Sequence, residues 1–151
     1  MSPNPKSCCS PLCNTLMSSS LPRGGTYTLL LWLPDMQRLQ IGRLGCFDFP
    51  SGYYTYTGSA KRGLAHRLHR HIHGASKLHW HIDYLRPHIR VLDWHTYAEG
   101  VQPECQLNQL LMATGEVVVP RFGSSDCRCS SHLLHFLAEC RPSWQFDSYT
   151  D

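Results

Sequence analysis

The chain has 151 residues, which is the length of about one domain, and 42% of them are hydrophobic, enough for a core of that size. No apolar run approaches the roughly 18 residues that would cross a bilayer, and no continuous apolar region follows the N-terminus as in a secretory signal. The sequence therefore argues against a membrane or secreted protein. It predicts a cytoplasmic one, in which the eight cysteines are thiols or metal ligands.

The net charge of +3 is unevenly distributed along the chain. Residues 61–90 contain seven of the 14 Lys and Arg, seven of the ten His, and one acid, Asp83, so seven cations against one anion leave +6 in this segment. Such a local basic stripe fits a polyanion such as nucleic acid. A solvated helix face has the same composition, so charge alone leaves both interpretations open.

The first part of the chain predicts a tail followed by strands. Residues 1–24 are rich in Ser, Pro and Cys without periodicity, which is typical of a disordered tail. Residues 27–33 are a continuous apolar run and predict a central strand with both faces buried. Residues 39–44 predict a second strand that pairs with the first as a hairpin, and residues 45–52 predict a loop.

A strand and a basic helix are predicted next. Residues 53–57 are aromatic and β-branched and predict a strand that ends at Gly58, where Ser59 can cap a following helix. In that helix, apolar residues recur every four positions and most of the remaining surface is basic. At about 100° per residue, Arg67 and His71 lie one turn apart at the edge of the apolar stripe, where a cation can line a pocket. Arg70, His66 and His73 lie further round the helix, toward water.

Further strands and helices follow in alternation. Residues 89–97 predict a strand, and Pro103 is expected to open a helix that Gly115 ends. Periodicity assigns four residues to the inner face of this helix. They are Leu107, Leu110, Leu111 and Thr114.

The C-terminal part completes the expected domain. Residues 117–119 predict a short strand and residues 132–140 a last short helix. Strands and helices interleaved around one small, mainly antiparallel sheet with flanking helices make an α+β fold. This domain is expected to extend over residues 25–140, with residues 141–151 as a C-terminal tail.

Short motifs occur in an order that resembles the GIY-YIG nuclease superfamily. Gly25-Thr26-Tyr27 opens the first strand and Tyr56-Thr57-Gly58 closes the third, while Arg67 and Glu104 follow on successive helices. The chain is similar to an uncharacterised bacterial and archaeal branch of that superfamily over about residues 24–138. Four longer motifs carry this similarity: Tyr56-Thr57-Gly58-Ser59-Ala60, Trp80-His81-Ile82-Asp83-Tyr84, Glu104-Cys105 and Phe122-Gly123-Ser124-Ser125-Asp126-Cys127.

The resemblance implies a metal-dependent endonuclease that hydrolyses phosphodiester bonds in DNA or structured nucleic acid, with a role in DNA repair or processing. It implies that Tyr27 activates or orients the water with support from Tyr56, and that Arg67 holds the scissile phosphate. His71 would orient a tyrosine hydroxyl or transfer a proton, and Glu104 would bind Mg²⁺ or Mn²⁺. These roles fit the chemistry, since a guanidinium matches phosphate oxygens and a divalent ion stabilises a departing oxygen.

Each of these residues also has an ordinary structural interpretation. A strand tyrosine packs in a sheet, a basic residue on a charged helix is solvated, and an acid in a first turn complements the helix dipole. A second function is therefore open, that of a nucleic-acid-binding module which keeps the fold and the basic helix without turnover. Under both functions the expected partner is nucleic acid, with DNA favoured, and the predicted binding residues are Lys61, Arg62, Arg70 and Lys77.

Two further features are independent of these roles. Cys127, Cys129 and His132 have metal-ligand side chains, and Cys105 is the expected fourth ligand of a possible zinc site, although the spacing is not a familiar zinc finger. Small buried thiols are the alternative, and a redox- or zinc-responsive protein built on these four residues is a third function. Asp83 is expected either to orient an active-site histidine such as His81 or to form a local ion pair.

Overall fold

The computed structural model describes residues 21–142, so most of the two predicted tails lies outside the described residues. The fold is α+β, as predicted, with a four-stranded antiparallel sheet, a separate two-stranded sheet and three α-helices in the described chain. Within residues 21–142 no helix is both long and apolar enough to span a bilayer.

The strands are β1 (Gly25–Leu33), β2 (Gln37–Ile41), β3 (Gly45–Phe49), β4 (Gly52–Ala60), β5 (Arg90–Ala98) and β6 (Leu133–Phe136). The helices are α1 (Leu64–His73), α2 (His81–Leu85), which continues into a 3-10 turn at Arg86–His88, and α3 (Glu104–Met112).

Strand β1 is central in the main sheet, whose strand order is β5-β1-β4-β6. Nearly all of its residues are buried, which confirms the strand predicted from its apolar run. One face of the sheet packs against α1 and α2, with Leu29 of β1 in contact with the cluster that contains Leu68. The other face packs against α3 through Leu107 and Leu111. Because helices cover both faces, β1 shows no alternation of polar and apolar residues.

The predicted hairpin between β1 and the next strand is wrong. Strand β2 pairs instead with β3, in a small sheet of its own, and residues 45–49 are therefore a strand and not a loop. Both edges of β1 are already hydrogen-bonded, to β4 and β5, so β2 has no free edge of β1 to join. Gly42 makes the β2–β3 turn with a φ of 49°, which favours glycine.

The predicted junction between strand β4 and helix α1 is also corrected. Gly58 does not end the strand, which continues through Ser59 to Ala60 because its edge pairs with β1 throughout. Helix α1 begins after Gly63, whose φ of 67° supplies the left-handed turn, and no side chain caps it. The hydroxyl of Ser59 is thus not used in a cap, and it donates instead to Glu104.

The C-terminal part differs most from the prediction. The expected helix over residues 132–140 is wrong, because Leu133–Phe136 forms β6, a buried strand paired with β4. The expected strand at residues 117–119 is also absent from the described chain, and only an isolated bridge joins Glu116 to His135. These two segments carry too few residues for periodicity to separate a helix from a strand.

Helix α3 lies where it was predicted, but only part of its predicted inner face is buried. It begins directly after Pro103, and Leu107 and Leu111 are buried, whereas Leu110 is 49% exposed and Thr114 is also exposed. Asn108 is buried instead, and its amide donates to the carbonyl of Ser131 at 2.7 Å. The helix therefore packs on a narrower apolar face and is tied by a polar contact to the loop before β6.

Candidate functional site

A cleft of about 780 Å³ opens beside the paired strands β1 and β4. Tyr27, Tyr56, Arg67 and Glu104 all line it, although they lie on two strands and two helices. The two tyrosines are on adjacent antiparallel strands, as predicted from the motif order. His71 lies behind the cleft, fully buried, and reaches it through Tyr27. The structure thus brings together all five residues of the predicted catalytic and metal set.

The centre of this arrangement is a hydrogen bond between Tyr27 and His71. Oη of Tyr27 lies 3.0 Å from Nε2 of His71, and the ring of Tyr56 packs edge-on against His71 with centroids 5.9 Å apart. Gly58 is the cross-strand partner of Tyr27. A Cβ at Gly58 would lie 2.4 Å from Oη of Tyr27, so only glycine leaves room for this tyrosine. The glycine of the second motif is therefore a steric requirement of the tyrosine in the first.

Burial keeps these groups uncharged. Desolvation, with the neighbouring Tyr56, raises the pKa of Tyr27 well above its ordinary value, and desolvation likewise raises the pKa of Tyr56. Desolvation lowers the pKa of His71 to about 4, opposed by Asp83 and assisted by Arg67. At neutral pH, Tyr27 is thus a neutral hydroxyl and His71 a neutral imidazole able to accept a proton.

Arg67 is held at the cleft from two sides. Its Nη1 donates to the carbonyl of Ser59 at the end of β4. Its guanidinium carbon lies 4.7 Å from the ring centroid of Trp80, a cation–π contact. Trp80 directly precedes α2, so the start of this helix positions the arginine. Arg67 is half-buried and keeps further N–H donors for a ligand.

Asp83 forms a local ion pair, which is one of the two roles that the sequence left open. Its Oδ2 accepts from Nη2 of Arg70 at 2.9 Å and from the backbone N–H groups of His79 and Trp80 at 2.9 and 2.8 Å. Burial opposes ionisation, but these donors outweigh it and lower the pKa of Asp83. The carboxylate of Asp83 thus fixes the backbone at Trp80, and this positions the indole ring of Trp80 that contacts Arg67.

Glu104, the first residue of α3, has a partner for each carboxylate oxygen. Oγ of Ser59 donates to Oε2 at 2.7 Å, and Nδ1 of His132 lies 3.0 Å from Oε1. Burial disfavours the charge, but the hydrogen bonds from His132 and Ser59 outweigh it and lower the pKa of Glu104. The cleft therefore contains an ionised carboxylate as well as the guanidinium of Arg67.

The predicted nucleic-acid-binding residues separate into two groups. Lys61 and Arg62 are exposed and line the cleft. Lys77 is exposed but does not line it, and Arg70 is half-buried, with Nη2 bonded to Asp83 and to the carbonyl of Lys77. The expectation that Arg70 faces water is thus wrong, because α2 packs beside α1 and supplies the buried carboxylate.

Sequence reasoning assigned no certain role to His81 and none to Asp126, which also line the cleft. Nδ1 of His81 accepts the backbone N–H of Gly123 at 2.9 Å, so the neutral ring carries its proton on Nε2. Burial lowers the pKa of His81, so the ring stays neutral and can donate a hydrogen bond through its Nε2–H. Both residues occur in longer motifs of the resemblance, and this was the only signal that could have identified them.

A second cluster, the Cys3His group, lies beside the cleft. Its members are Cys105, Cys127, Cys129 and His132. The four ligand atoms all lie within 4.8 Å of one another, so the group can hold a metal ion such as zinc. Nε2 of His132 is 3.3 Å from Sγ of Cys127 and 4.0 Å from Sγ of Cys105. The fourth ligand expected from the sequence, Cys105, is therefore in place.

The thiols of this group influence one another. Burial and the neighbouring Cys129 and Cys127 raise the pKa of Cys105 to about 12. Burial also opposes ionisation of Cys127, but hydrogen bonds from Cys129 and the charge of His132 lower its pKa. Burial disfavours the imidazolium of His132, whereas the bond to Glu104 raises its pKa to about 9. The surroundings of the group therefore favour ionisation of Cys127 over that of Cys105.

Comparison with known proteins gives one result. A family model described as "Domain of unknown function DUF123" matches residues 26–149, which is most of the chain. Searches of curated proteins and of solved structures found no match.

Proposed function

The chain belongs to the family described as Domain of unknown function DUF123, and we propose that it is a metal-dependent endonuclease that hydrolyses phosphodiester bonds in DNA or structured nucleic acid. The observation that carries the proposal is the convergence on one cleft of a hydrogen-bonded Tyr27–His71 pair, Arg67 and the ionised Glu104. Membership of the GIY-YIG superfamily and a role in DNA repair or processing are parts of the same proposal.

Hydrolysis needs a water molecule that is oriented and loses a proton as it attacks phosphorus. When the O–H of Tyr27 donates to Nε2 of His71, Oη can accept a hydrogen bond from that water through a lone pair. As the water attacks, its proton passes to Oη of Tyr27, and the tyrosine proton passes to Nε2 of His71. Tyr27 never has to become a phenolate, which its burial would oppose.

The phosphate needs positive charge that is already in position. Arg67 uses one donor on the Ser59 carbonyl and presents the rest of its planar fork, which matches phosphate oxygens. Contact with Trp80 restricts the guanidinium before a substrate binds. Lys61 and Arg62 at the rim suit the flanking phosphates of the chain being cut.

The donor set of the cleft fits one hard divalent ion. Mg²⁺ is usually bound by one or two carboxylates together with water and substrate phosphate oxygens, and Glu104 with the exposed Asp126 supplies this set. A carboxylate has about four lone-pair sites, so the bonds from Ser59 and His132 leave Glu104 able to bind an ion. When bound, Mg²⁺ or Mn²⁺ supplies Lewis-acid stabilisation of the departing oxygen.

The Cys3His group suits a different ion. Thiolates and an imidazole are the ligands of structural zinc, whereas Mg²⁺ and Mn²⁺ prefer oxygen. We therefore assign Zn²⁺ to this group and keep it separate from the ion at Glu104. Free thiols are found among the described cysteines, which fits a reducing compartment, and a cytoplasmic location is part of the proposal.

A second candidate function is a nucleic-acid-binding module without turnover. The observation that favours it is that Glu104 and Arg67 both have intramolecular partners, so the cleft has a stable arrangement that needs no metal or substrate. In this case the cationic rim would bind the backbone and the tyrosines would only pack.

Cleavage and binding measured on matched variants test the proposal. Branched, nicked and single-stranded DNA are incubated with Mg²⁺ or Mn²⁺ under single-turnover conditions, with metal-free affinity measured in parallel. Glu104→Gln should lower cleavage about 10²-fold to 10³-fold while affinity holds or rises slightly, since a negative charge near phosphate is lost. Arg67→Ala should lower cleavage far more than binding, because one of several phosphate contacts is lost. Glu99→Gln and Arg90→Ala, both exposed and outside the cleft, are the controls.

Three outcomes contradict the proposal, either in its residues or in its activity. Equal cleavage by the wild type and both cleft variants would show that these residues are not the catalytic pair. Tight binding without cleavage of any substrate by the wild type would establish the second candidate function. Absence of both binding and cleavage would exclude nucleic acid as the ligand.

A further inference from the structure

We propose that zinc in the Cys3His group makes His132 a positioning residue for Glu104, so that the thiol site and the cleft are coupled through one imidazole ring. The inference rests on the proposed function, through its assignment of Zn²⁺ and of Glu104, and adds the physical link between the two sites. It predicts that occupation of the zinc site and the state of the cleft carboxylate influence each other, whether or not the protein cuts nucleic acid.

The hydrogen bonds of His132 determine which ring nitrogen carries a proton. Nδ1 lies 3.0 Å from the carbonyl oxygen of Thr57 and 3.0 Å from Oε1 of Glu104. A carbonyl and a carboxylate only accept, so Nδ1 must be the donor. His132 is 1% exposed, so bulk water does not compete for that proton. The proton position therefore follows from the partners.

The other ring nitrogen then faces the thiols. Nε2 of His132 points to Cys127 and Cys105, and a metal ion would bind there in place of a proton. A metal-binding histidine whose second nitrogen donates to a carboxylate is a common arrangement, in which the carboxylate fixes the tautomer and raises the basicity of the ligand. In His132, Nδ1 donates to the carbonyl of Thr57 and lies equally close, at 3.0 Å, to Oε1 of Glu104, which is the carboxylate of this arrangement.

The backbone around the group is held in place by protein contacts alone. The N–H of His132 donates to the carbonyl of Phe122, and its carbonyl accepts the N–H of Thr57 on β4. Nη1 of Arg121 donates to the carbonyls of Cys127 and Cys129, each at 2.9 Å. These contacts present the two thiols toward His132, so little ordering has to accompany metal binding.

The same segment forms a wall of the cleft. Gly123, Asp126 and Cys127 line it, and Cys105 directly follows Glu104 on α3. An ion bound by Cys105, Cys127 and His132 would therefore join the start of α3 to the loop and to the start of β6. Because coupling between two sites is reciprocal, a change at Glu104 must also appear as a change in zinc affinity.

Zinc content and zinc affinity of the full chain test the first half of the inference. The purified wild type should contain one zinc per chain, and Cys129→Ser should lose it, whereas Cys46→Ser, an exposed thiol outside the group, should keep it. If Cys129→Ser does not fold, cobalt substitution of the wild type replaces it, since thiolate-to-cobalt absorption reports the sulfur ligands directly. Zinc-free protein whose thermal unfolding is unaffected by a chelator, or cobalt protein without that absorption, overturns the proposal.

The coupling has its own readouts, which need no nucleic acid. In competition with a chromophoric chelator, Glu104→Gln should retain one zinc but bind it about 10-fold more weakly, at the lower end of the roughly 10-fold to 100-fold range for partners of metal-binding histidines. Glu99→Gln is the matched control and should equal the wild type. Nitrogen-15 NMR of the zinc-loaded wild type should show His132 metal-bound at Nε2 and protonated at Nδ1.

Each outcome separates this inference from the proposed function. Equal zinc affinities of Glu104→Gln and Glu99→Gln, or zinc bound at Nδ1, would refute the coupling even if the protein cuts DNA. Weaker zinc binding by Glu104→Gln in a protein that never cuts DNA would support the coupling and refute only the endonuclease.

Discussion

Replacing the buried His71 should change how the stability of the protein depends on pH. The pKa of His71 is lowered from 6.5 to about 4, chiefly by desolvation, so the unfolded chain binds this proton more readily than the folded one. The stability that depends on a neutral His71 is therefore fully present above pH 6.5, and it is lost as the pH drops toward 4. From these two pKa values, the loss between pH 7 and pH 5 is about 2 kcal/mol, and it approaches about 3 kcal/mol below pH 4.

Urea unfolding of the wild type and His71→Gln at several pH values measures this loss. Glutamine keeps an acceptor for Tyr27 but does not titrate, so the difference in unfolding free energy between the two proteins should change by about 2 kcal/mol from pH 7 to pH 5. His66→Gln, an exposed substitution on the same helix, controls for the loss of an imidazole from α1. A change below about 0.5 kcal/mol, the usual scale of surface substitutions, would refute a buried neutral His71.

Two further predictions concern the cleft. Gly58→Ala places a Cβ 2.4 Å from Oη of Tyr27 and must displace that hydroxyl, so cleavage should fall about 100-fold with the fold retained by circular dichroism; unchanged activity would show that the position of Tyr27 does not matter. Replacing Lys61 and Arg62 together by Ala should reduce the salt dependence of nucleic-acid affinity by about two units of slope, one for each phosphate contact. Lys77→Ala, outside the cleft, should leave the slope unchanged, and an equal reduction by both would move the binding surface away from the cleft.

The residues of the candidate site were accessible to sequence reasoning for particular physical reasons. Tyr27 lies in a long apolar run, and such a run predicts a strand by itself. Arg67 and His71 lie one turn apart on a strongly amphipathic helix, which α1 confirms. Glu104 follows a proline at a helix start. In each case the signal is local, since it depends on residues a few positions apart.

The partners of these residues were not accessible in the same way. Ser59 was expected to cap a helix, yet its hydroxyl reaches Glu104, which is 45 positions away in sequence. Arg70 was expected to face water, yet it pairs with Asp83. Both errors arise because periodicity describes one element at a time and does not contain the neighbour that packs against it.

By itself the sequence determined the α+β class, the central strand β1, the amphipathic helix α1 and the chemical types of the site residues, because propensity and periodicity act over a few residues. Only the tertiary structure decided that β2 pairs with β3 and that residues 133–136 add a strand beside β4. That last pairing carries His132 to Glu104 and Cys105, and so places the Cys3His group against the cleft. The choice between helix and strand in so short a buried segment depends on which sheet edge is free, and this is a property of the assembled chain.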